Sequence, residues 1–200
     1  MTIFCVGRNY AAHAREMGSV PDASGEPIVF LKPGRALVRS PEPLAFPAGV
    51  GEVHHEAEVV LRIGRDLAPD ALALGLDLTD RPRQAKARQA GMPWAAAKGF
   101  RGSAAVGPWV PVDEAPALDA LTFTLHVNGV LKQRGDTALW LHPAPALLAY
   151  LDRWFGLTPG DLVFTGTPEG VGSIVAGDVL DLALEDHPRA AARFQVAPPG

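Results

Sequence analysis

The chain has 200 residues, of which 48% are hydrophobic and 20% charged, an ordinary globular composition that can bury one sizeable core. Its net charge of −4, without any block of lysines and arginines, argues against nucleic acid or a membrane surface as a partner. The single cysteine, Cys5, cannot form an internal disulfide, and the sequence shows neither a signal peptide nor a membrane-spanning apolar run. We therefore expect a cytoplasmic protein with one domain over residues 1–200.

Glycine and proline are frequent, with 21 and 19 residues, and they separate short apolar segments, which predicts many short strands and turns. In chain order, the predicted strands are 3–6, 28–31, 56–62, 72–78, 121–127, 162–165 and 179–184. The predicted helices are 11–17, 82–89 and 145–155. The Asn-Gly pair at 128–129, between apolar flanks, predicts an antiparallel hairpin. This pattern predicts a mixed, β-dominated α+β fold and disfavours a Rossmann fold or an α/β barrel.

The alanine-rich segment after the first strand predicts a short helix that Asn9 caps and Gly18 ends. His13 and Glu16 are three residues apart, so they would share one side of this helix. A carboxylate beside an imidazole orients the ring and raises its basicity, as a water-activating general base requires. The alternative is a surface pair of little energetic value. Because alanine packs weakly, the segment around 8–20 is also a candidate for a mobile lid.

Three carboxylates form the most informative pattern. Glu56 and Glu58 are two apart, so in an extended strand their side chains point to the same face. Asp77 lies in the apolar run 74–78, whose leucines would occupy the opposite face of their strand. Three carboxylates without cysteine make a hard oxygen site, which favours magnesium, manganese or calcium. The alternative is an edge strand with a solvated acidic face.

Two further features allow more than one interpretation. Lys98 lies among small apolar residues, so its ammonium either reaches solvent or is held beside an anion in a site. The glycine-rich loop 166–172 lacks the Gly-Lys-Ser/Thr end of a phosphate-binding loop, and a strand rather than a helix is expected after it. Its backbone N–H groups and the Thr167 hydroxyl could bind a carboxylate, and the alternative is a plain β-turn.

Six linked motifs resemble the fumarylacetoacetate hydrolase family in order and spacing, almost from end to end. They are Cys5-Val6-Gly7-Arg8-Asn9-Tyr10, Pro27-Ile28-Val29-Phe30-Leu31-Lys32-Pro33, His54-His55-Glu56-Ala57-Glu58, Leu76-Asp77-Leu78-Thr79, Pro93-Trp94 with Ala97-Lys98-Gly99-Phe100, and Thr165-Gly166-Thr167-Pro168. The similarity is greatest to short single-domain members, the acylpyruvate and fumarylpyruvate hydrolases, a group that also includes oxaloacetate decarboxylases and tautomerases. It implies a mixed β-sandwich roll of the family's C-terminal-domain type and a homodimer.

The resemblance also implies roles for individual residues. A magnesium or manganese ion would be held by Glu56, Glu58 and Asp77, in agreement with the strand argument above. The water-activating pair would be His13 and Glu16, on a segment that orders over the substrate. The remaining positions would contact the carboxylate and keto oxygens of the substrate: Arg8, Arg81, Gln84, Lys98 and Thr167. Lys98 would also act in catalysis, as a second positive centre.

Together these features predict a metal-dependent hydrolase that cleaves a carbon–carbon bond in a 3-acylpyruvate of the fumarylpyruvate or acetylpyruvate type, through a metal-chelated pyruvate enolate. Oxaloacetate decarboxylation and keto–enol tautomerisation or isomerisation of a 2-oxo diacid are alternatives, because they would use nearly the same residues. A non-catalytic metal-binding dimer with a drifted site is an alternative of another class. It is kept open by two departures from the family pattern: Pro82 replaces an aspartate, and Arg101 replaces another.

Overall fold

A computed structural model describes residues 1–18, 20, 22–185 and 187–198 of the protein. The strands of this part of the chain are β1 (Ile3–Gly7), β2 (Ile28–Lys32), β3 (Leu37–Arg39), β4 (Val53–His55), β5 (Ala57–Ile63), β6 (Pro69–Asp77), β7 (Thr79–Asp80), β8 (Ala104–Val106), β9 (Val110–Pro111), β10 (Thr122–Val127), β11 (Val130–Asp136), β12 (Leu162–Phe164), β13 (Gly172–Ile174), β14 (Val179–Leu184) and β15 (Ala192–Gln195). Its helices are α1 (Ala11–Glu16), α2 (Arg81–Gln89), α3 (Ala95–Lys98) and α4 (Ala144–Phe155).

The strands form three sheets. The largest is mixed, in the order β2-β1-β12-β5-β6-β8-β3, with β9 beside β6. Within it β1 pairs in parallel with β12 and β3 with β8, while its other pairs are antiparallel. A second, antiparallel sheet has the order β11-β10-β14-β15, and a third has the order β13-β4-β7. The expected β-dominated α+β class is therefore confirmed. No helix in the described residues is long and apolar enough to cross a membrane.

Alternating side chains of β5 divide between two apolar clusters. Val59 points into the main core, which also contains Leu74 of β6 and Phe123 of β10 and lies between the largest sheet and the four-stranded sheet. Val60 points the other way, into a smaller cluster with Cys5. Cys5 is a free, fully buried thiol, and burial raises its pKa well above the usual range. The period-2 pattern of β5 thus buries both faces of the strand.

The largest deviation from the predicted elements occurs where the chain passes from one sheet to another. The predicted strand 56–62 begins at Ala57, because 53–55 pair within the three-stranded sheet and 57–63 within the largest sheet. The predicted strand 72–78 ends at Asp77 for the same reason, since β7 belongs to the three-stranded sheet. Two crossings between the same two sheets therefore lie side by side, and the Asp77 N–H donates to the Glu56 carbonyl oxygen at 2.8 Å across them.

The predicted hairpin is confirmed: β10 and β11 pair antiparallel, with Val127 opposite Val130 and positive φ at Asn128 (51°) and Gly129 (78°). Several short strands were not predicted, because two or three residues are too few to show an alternating pattern. They include β3, β4, β7, β8, β9 and β13.

Gly75 of β6 occupies a tightly packed position near the two crossings between the sheets. It lies opposite Glu58 of β5, and a Cβ at this position would lie 2.6 Å from the Ala105 carbonyl oxygen and 2.6 Å from Val60 Cγ2. Neither neighbour has room to move, because one is backbone and the other a fully buried side chain.

We expect Gly75→Ala to lower the free energy of unfolding by about 1–3 kcal/mol, the usual cost of overpacking a core. Gly7→Ala is the matched control, since Gly7 is a strand glycine of the same sheet whose added Cβ would contact Ile28 Cγ2 at 3.4 Å. Urea denaturation of both variants measures the difference. Equal midpoints would contradict the packing argument.

Candidate metal centre and cleft

The three carboxylates predicted to bind a metal meet at the two sheet crossings. Glu56 lies between β4 and β5, Glu58 lies in β5, and Asp77 ends β6. The antiparallel register sets Glu58 opposite Gly75, so no side chain separates its carboxylate from that of Asp77. One oxygen of each carboxylate lies within 4.8 Å of the others, and all three residues are buried. We call these residues the carboxylate trio.

The electrostatics of the carboxylate trio are uneven. Burial, together with the charge of Asp77, raises the pKa of Glu58 well above its usual range. Burial also acts to raise the pKa of Glu56, but the charges of Lys98 and Arg81 outweigh it and lower that pKa. Among the described residues Glu58 has no ion-pair partner, and it accepts a hydrogen bond from the Gly166 N–H at 2.7 Å. The donor set of three convergent oxygens fits a hard divalent cation, which would place positive charge beside Glu58.

Lys98 joins two members of the trio. Its Nζ donates to Glu56 Oε2 and to Asp77 Oδ2, each at 2.7 Å, and the side chain is buried. Burial acts to lower the pKa of Lys98, but the charges of Asp77 and Glu56 outweigh it and raise the pKa. Lys98 therefore lies beside anions in the site and does not extend into solvent. Its ammonium also lies 5.0 Å from the centroid of the Phe30 ring, which is a cation–π contact. Phe30 and Lys98 both line a cleft that also includes Glu56 and Glu58 of the trio.

Lys32 is a second buried lysine, and it is not among the residues predicted for the site. Its Nζ lies 2.7 Å from Asp77 Oδ1, while its three protons are donated to the carbonyl oxygens of Leu78, Lys98 and Ser103. Asp77 Oδ1 consequently receives charge stabilisation but accepts no hydrogen bond from the residues that the structure describes. A lysine in a strand is usually solvent-exposed, so only its place in the family-like motif 27–33 could have indicated this role.

Asp80 and Pro82 start helix α2 beside the trio. The Asp80 carboxylate caps the helix by accepting the Arg83 N–H at 3.1 Å, and Pro82 occupies the first turn, where a missing N–H removes no helical hydrogen bond. The Pro82 departure is therefore accommodated by the helix start. Arg101, the second departure, is exposed and does not line the described cleft.

Helix α2 directs two predicted residues into the site. Arg81 Nη2 donates to Glu56 Oε1 at 2.7 Å, and Arg81 Nη1 donates to Gln84 Oε1 at 2.7 Å. Gln84 is buried, and both side chains line the cleft above the trio. Their positions follow from the helical spacing of three residues, which places them on one face.

His13 and Glu16 approach the site from α1. His13 Nδ1 lies 3.0 Å from Glu16 Oε2, and the His13 ring is buried and lines the cleft. Glu16 Oε1 also accepts the Gly170 N–H at 3.1 Å, which fixes the carboxylate behind the ring. If Nδ1 donates to Glu16, Nε2 carries no proton and can accept one.

The expected capping role of Asn9 is wrong. The residue that caps α1 is Tyr10, without a side-chain hydrogen bond. The buried Asn9 amide donates to the Thr165 carbonyl at 2.8 Å and to the His142 carbonyl at 3.1 Å, and its Oδ1 accepts the His142 N–H at 2.7 Å. Asn9 therefore ties the end of β1 to the loop after β12, and this long-range role has no local sequence signal.

Gln133 of β11 is a buried amide, missed in the sequence, that links the trio to the loop 165–168. Its Oε1 accepts the Ala57 N–H at 2.9 Å and lies 3.0 Å from His55 Nδ1, while its Nε2 donates to Thr167 Oγ1 at 2.8 Å. The Thr167 hydroxyl in turn donates to the Ala57 carbonyl at 2.9 Å. Its one proton is thus in use, so Thr167 would have to release Ala57 before donating to a substrate. A register shift between Leu125 and His126 sets Gln133 opposite buried Leu125, and the sequence carries no signal for this shift.

These groups surround one cleft. The predicted site residues that line it are Arg8, His13, Glu56, Glu58, Arg81, Gln84, Lys98 and Thr167. Asp77 lies behind Lys98, and Glu16 lies behind His13. Residues not predicted also contribute to the lining: Met17, Phe30, Arg88 and Trp94. The structure thus brings the predicted site together around a polar floor with an aromatic wall.

Because a cation would relieve the repulsion within the trio, we expect Mn²⁺ or Mg²⁺ to raise the melting temperature of the protein. At one hundred times the dissociation constant the gain is about 2.7 kcal/mol, or roughly 5–10 °C for a chain of this size. Asp77→Asn should abolish the shift, and Asp70→Asn, an exposed position on the same strand, should retain it. An equal metal-dependent shift in Asp77→Asn would contradict the assignment.

We expect Gln133→Leu to lower the free energy of unfolding by about 1–3 kcal/mol or more, because it leaves the buried Ala57 N–H and His55 Nδ1–H without an acceptor. Gln195→Leu, the same change on an exposed strand position, is the control. Denaturation midpoints in urea provide the measurement. Similar midpoints for the two variants would show that Gln133 is not a structural link.

Comparison with known proteins extends these observations. The family model described as fumarylacetoacetate (FAA) hydrolase C-terminal matches residues 2–195. Oxaloacetate tautomerase YcgM of Escherichia coli strain K12 is 41% identical over 197 residues, which cover 92% of this chain and 89% of that protein. The mitochondrial oxaloacetate tautomerase FAHD1 of Homo sapiens is 35% identical over 207 residues, which cover 98% of this chain and 92% of that protein.

A solved structure is similar over nearly the whole chain. Fumarylpyruvate hydrolase from Pseudomonas aeruginosa, in complex with Mn²⁺ and pyruvate, matches with a TM-score of 0.90 and 37% identity, covering 98% of this chain and 89% of that one. The family match, the coverage and these identities together lead to one conclusion: the chain belongs to the fumarylacetoacetate hydrolase family, among its short single-domain members.

Proposed function

We propose that the protein is a divalent-metal-dependent enzyme that transfers a proton within a small 2-oxo dicarboxylate, with keto–enol tautomerisation of oxaloacetate as its principal reaction. The observation that carries this proposal is the His13–Glu16 pair, which faces the carboxylate trio across one cleft. The names of the Escherichia coli and human relatives support it. Hydrolysis of fumarylpyruvate, the reaction expected from the sequence, becomes the second candidate and is supported by the Pseudomonas aeruginosa relative.

Magnesium or manganese would be held by the carboxylate trio. When bound, such an ion supplies a Lewis acid that polarises the carboxylate and keto oxygens of a 2-oxo acid. Manganese has support from the Mn²⁺ complex of the Pseudomonas aeruginosa relative, and the oxygen-only donor set suits either metal.

The charges of the cleft favour a substrate with two carboxylates. The three carboxylates of the trio are accompanied by three cations in ion-pair contact, Lys32, Lys98 and Arg81. A divalent metal would therefore leave an excess of positive charge in the site, and the guanidinium groups of Arg8 and Arg88 on the same cleft add to it. A dicarboxylate offsets more of this excess than a monocarboxylate does, which supports oxaloacetate or fumarylpyruvate over acetylpyruvate.

His13 would move the proton. Its Nε2, left free by the bond between Nδ1 and Glu16, would take a proton from C3 of the keto acid. The electron pair of that C–H bond forms the C2–C3 double bond while the π pair of the C2–O double bond moves onto the oxygen, and His13 then returns the proton to this oxygen to give the enol. In the hydrolytic alternative the same nitrogen would take a proton from water. Lys98 would stabilise negative charge that develops on the oxygen.

The other predicted contacts remain part of the proposal. Arg81 and Gln84 would orient a substrate carboxylate from α2, and Arg8 would do so from the end of β1.

We also retain the homodimer and the lid at about 8–20 as expectations, although Ser19 lies outside the described residues. The ion pairs that Glu56 and Asp77 make with neighbouring cations argue against a drifted, non-catalytic site.

The test compares three substrates with metal-reconstituted protein. Enol–keto conversion of oxaloacetate is followed by ultraviolet absorbance, and pyruvate release is followed with oxaloacetate, fumarylpyruvate and acetylpyruvate, with Asp77→Ala as the blank. Conversion of enol-oxaloacetate without pyruvate release supports the tautomerase. Pyruvate release from fumarylpyruvate supports the hydrolase, release from oxaloacetate supports the decarboxylase, and no turnover of any substrate rejects the proposal.

We expect His13→Asn to lower kcat for oxaloacetate tautomerisation by about 10²–10⁴-fold, the usual contribution of a general base. Mn²⁺ binding, measured by calorimetry, should be retained. His126→Asn, a half-buried histidine of β10 that does not line the cleft, is the control and should keep its rate. A His13→Asn variant with unchanged kcat would exclude the proton-transfer role.

A further inference from the structure

The outer part of the cleft contains a cation that the reaction above does not use. Arg88, in the last turn of α2, lines the same cleft as the carboxylate trio. Residues 81, 84 and 88 are spaced by three and by four, so they share one face of the helix. From the trio outward, this face presents Arg81, Gln84 and Arg88 over about 10 Å of helix length.

Arg88 differs from Arg81 in its pairing. Arg81 donates both to Glu56 and to Gln84. In the described part of the chain, the guanidinium groups of Arg88 and Arg8 have neither a hydrogen-bond partner nor an ion-pair partner, yet both residues line the cleft. Burial and the nearby charge of Arg88 lower the pKa of the Arg8 guanidinium. Arg88 is exposed, and its charge and that of Arg8 repel each other across the cleft, a repulsion that a bound anion would reduce.

The backbone of Arg8 is held in an unusual conformation. Its φ of 60° lies in the left-handed region, which residues with a side chain rarely adopt. The next residue, Asn9, is fixed by three hydrogen bonds to His142 and Thr165, so the surrounding structure maintains this conformation. Backbone strain that neighbouring contacts enforce is characteristic of ligand-binding positions.

A general helix-end effect does not account for the position of Arg88. Cations in the last turn of a helix interact favourably with its dipole, and Lys86 already lies in that turn. Lys86 does not line the described cleft, whereas Arg88 does. Comparing a variant of Lys86 with one of Arg88 therefore distinguishes the effect of a charge at the helix end from that of a charge in the cleft.

We propose that Arg88, together with Arg8, binds the second carboxylate of the substrate and thereby selects 2-oxo dicarboxylates over 2-oxo monocarboxylates. The inference rests on the proposed function, because the first carboxylate must be held at the carboxylate trio. A guanidinium group presents paired N–H donors that match both oxygens of a carboxylate. Arg88 is thus a specificity-determining residue at the outer end of the cleft.

The test measures binding and not turnover. Calorimetry with Mn²⁺-loaded protein compares 2-oxoglutarate with 2-oxovalerate, which share five carbons and the 2-oxo carboxylate and differ in the second carboxylate. Wild-type protein should bind 2-oxoglutarate at least about tenfold more tightly, as a charged hydrogen-bonded pair implies. Arg88→Met should lower the affinity for 2-oxoglutarate by about 10–100-fold and leave that for 2-oxovalerate within about twofold.

Lys86→Met is the matched control, because it removes one positive charge from the same helical turn outside the cleft, and it should keep the preference. The proposal is overturned if wild type shows no preference, if Arg88→Met keeps it, if Lys86→Met loses it equally, or if Arg88→Met weakens both ligands alike. Failure of the proposed reaction is distinguishable, since it appears as absent oxaloacetate turnover while the binding preference persists.

Discussion

Mutual repulsion among three buried carboxylates is the constraint on which the rest of the site depends. Removing such charges from water costs several kcal/mol for each ion unless opposite charges and hydrogen bonds compensate. Here compensation comes from two buried lysines and one arginine, each in contact with Glu56 or Asp77. Within the part of the chain that the structure describes, Glu58 receives a single hydrogen bond, from the backbone N–H of Gly166, and no ion pair. Glu58 is therefore the member of the trio whose charge is least compensated, which makes the trio suited to a metal ion.

The fold supplies this arrangement through the two crossings between sheets. Glu56 lies where the chain leaves the three-stranded sheet for the largest sheet, and Asp77 lies where it returns. Regular strands would place neighbouring side chains on alternating faces, whereas a change of sheet frees a residue from that alternation. The positions of these carboxylates are therefore set by backbone hydrogen bonds, such as the one from the Asp77 N–H to the Glu56 carbonyl.

Local patterns were sufficient for those features that depend on nearby residues. Alternation identified the carboxylates of Glu56 and Glu58, helical spacing paired His13 with Glu16, and the Asn-Gly turn located the hairpin. The roles of Lys32, Asn9 and Gln133 could not be read in this way. Each is a buried polar side chain whose partners lie far away in sequence, so its function exists only once the sheets are assembled. Very short strands escaped prediction because they are stabilised by tertiary pairing and not by their own pattern.

The site has an inner layer and an outer layer with different freedom to change. In the inner layer, the Lys32 ammonium satisfies three carbonyl groups that are 46, 66 and 71 residues away along the chain, so most substitutions there would leave several buried groups unpaired. The outer layer, on the exposed end of α2, makes few such hydrogen bonds to buried groups. A lineage could therefore alter which molecules enter the cleft while inheriting the buried charges intact. This division offers a physical reason why proteins with such similar frameworks carry different reaction names.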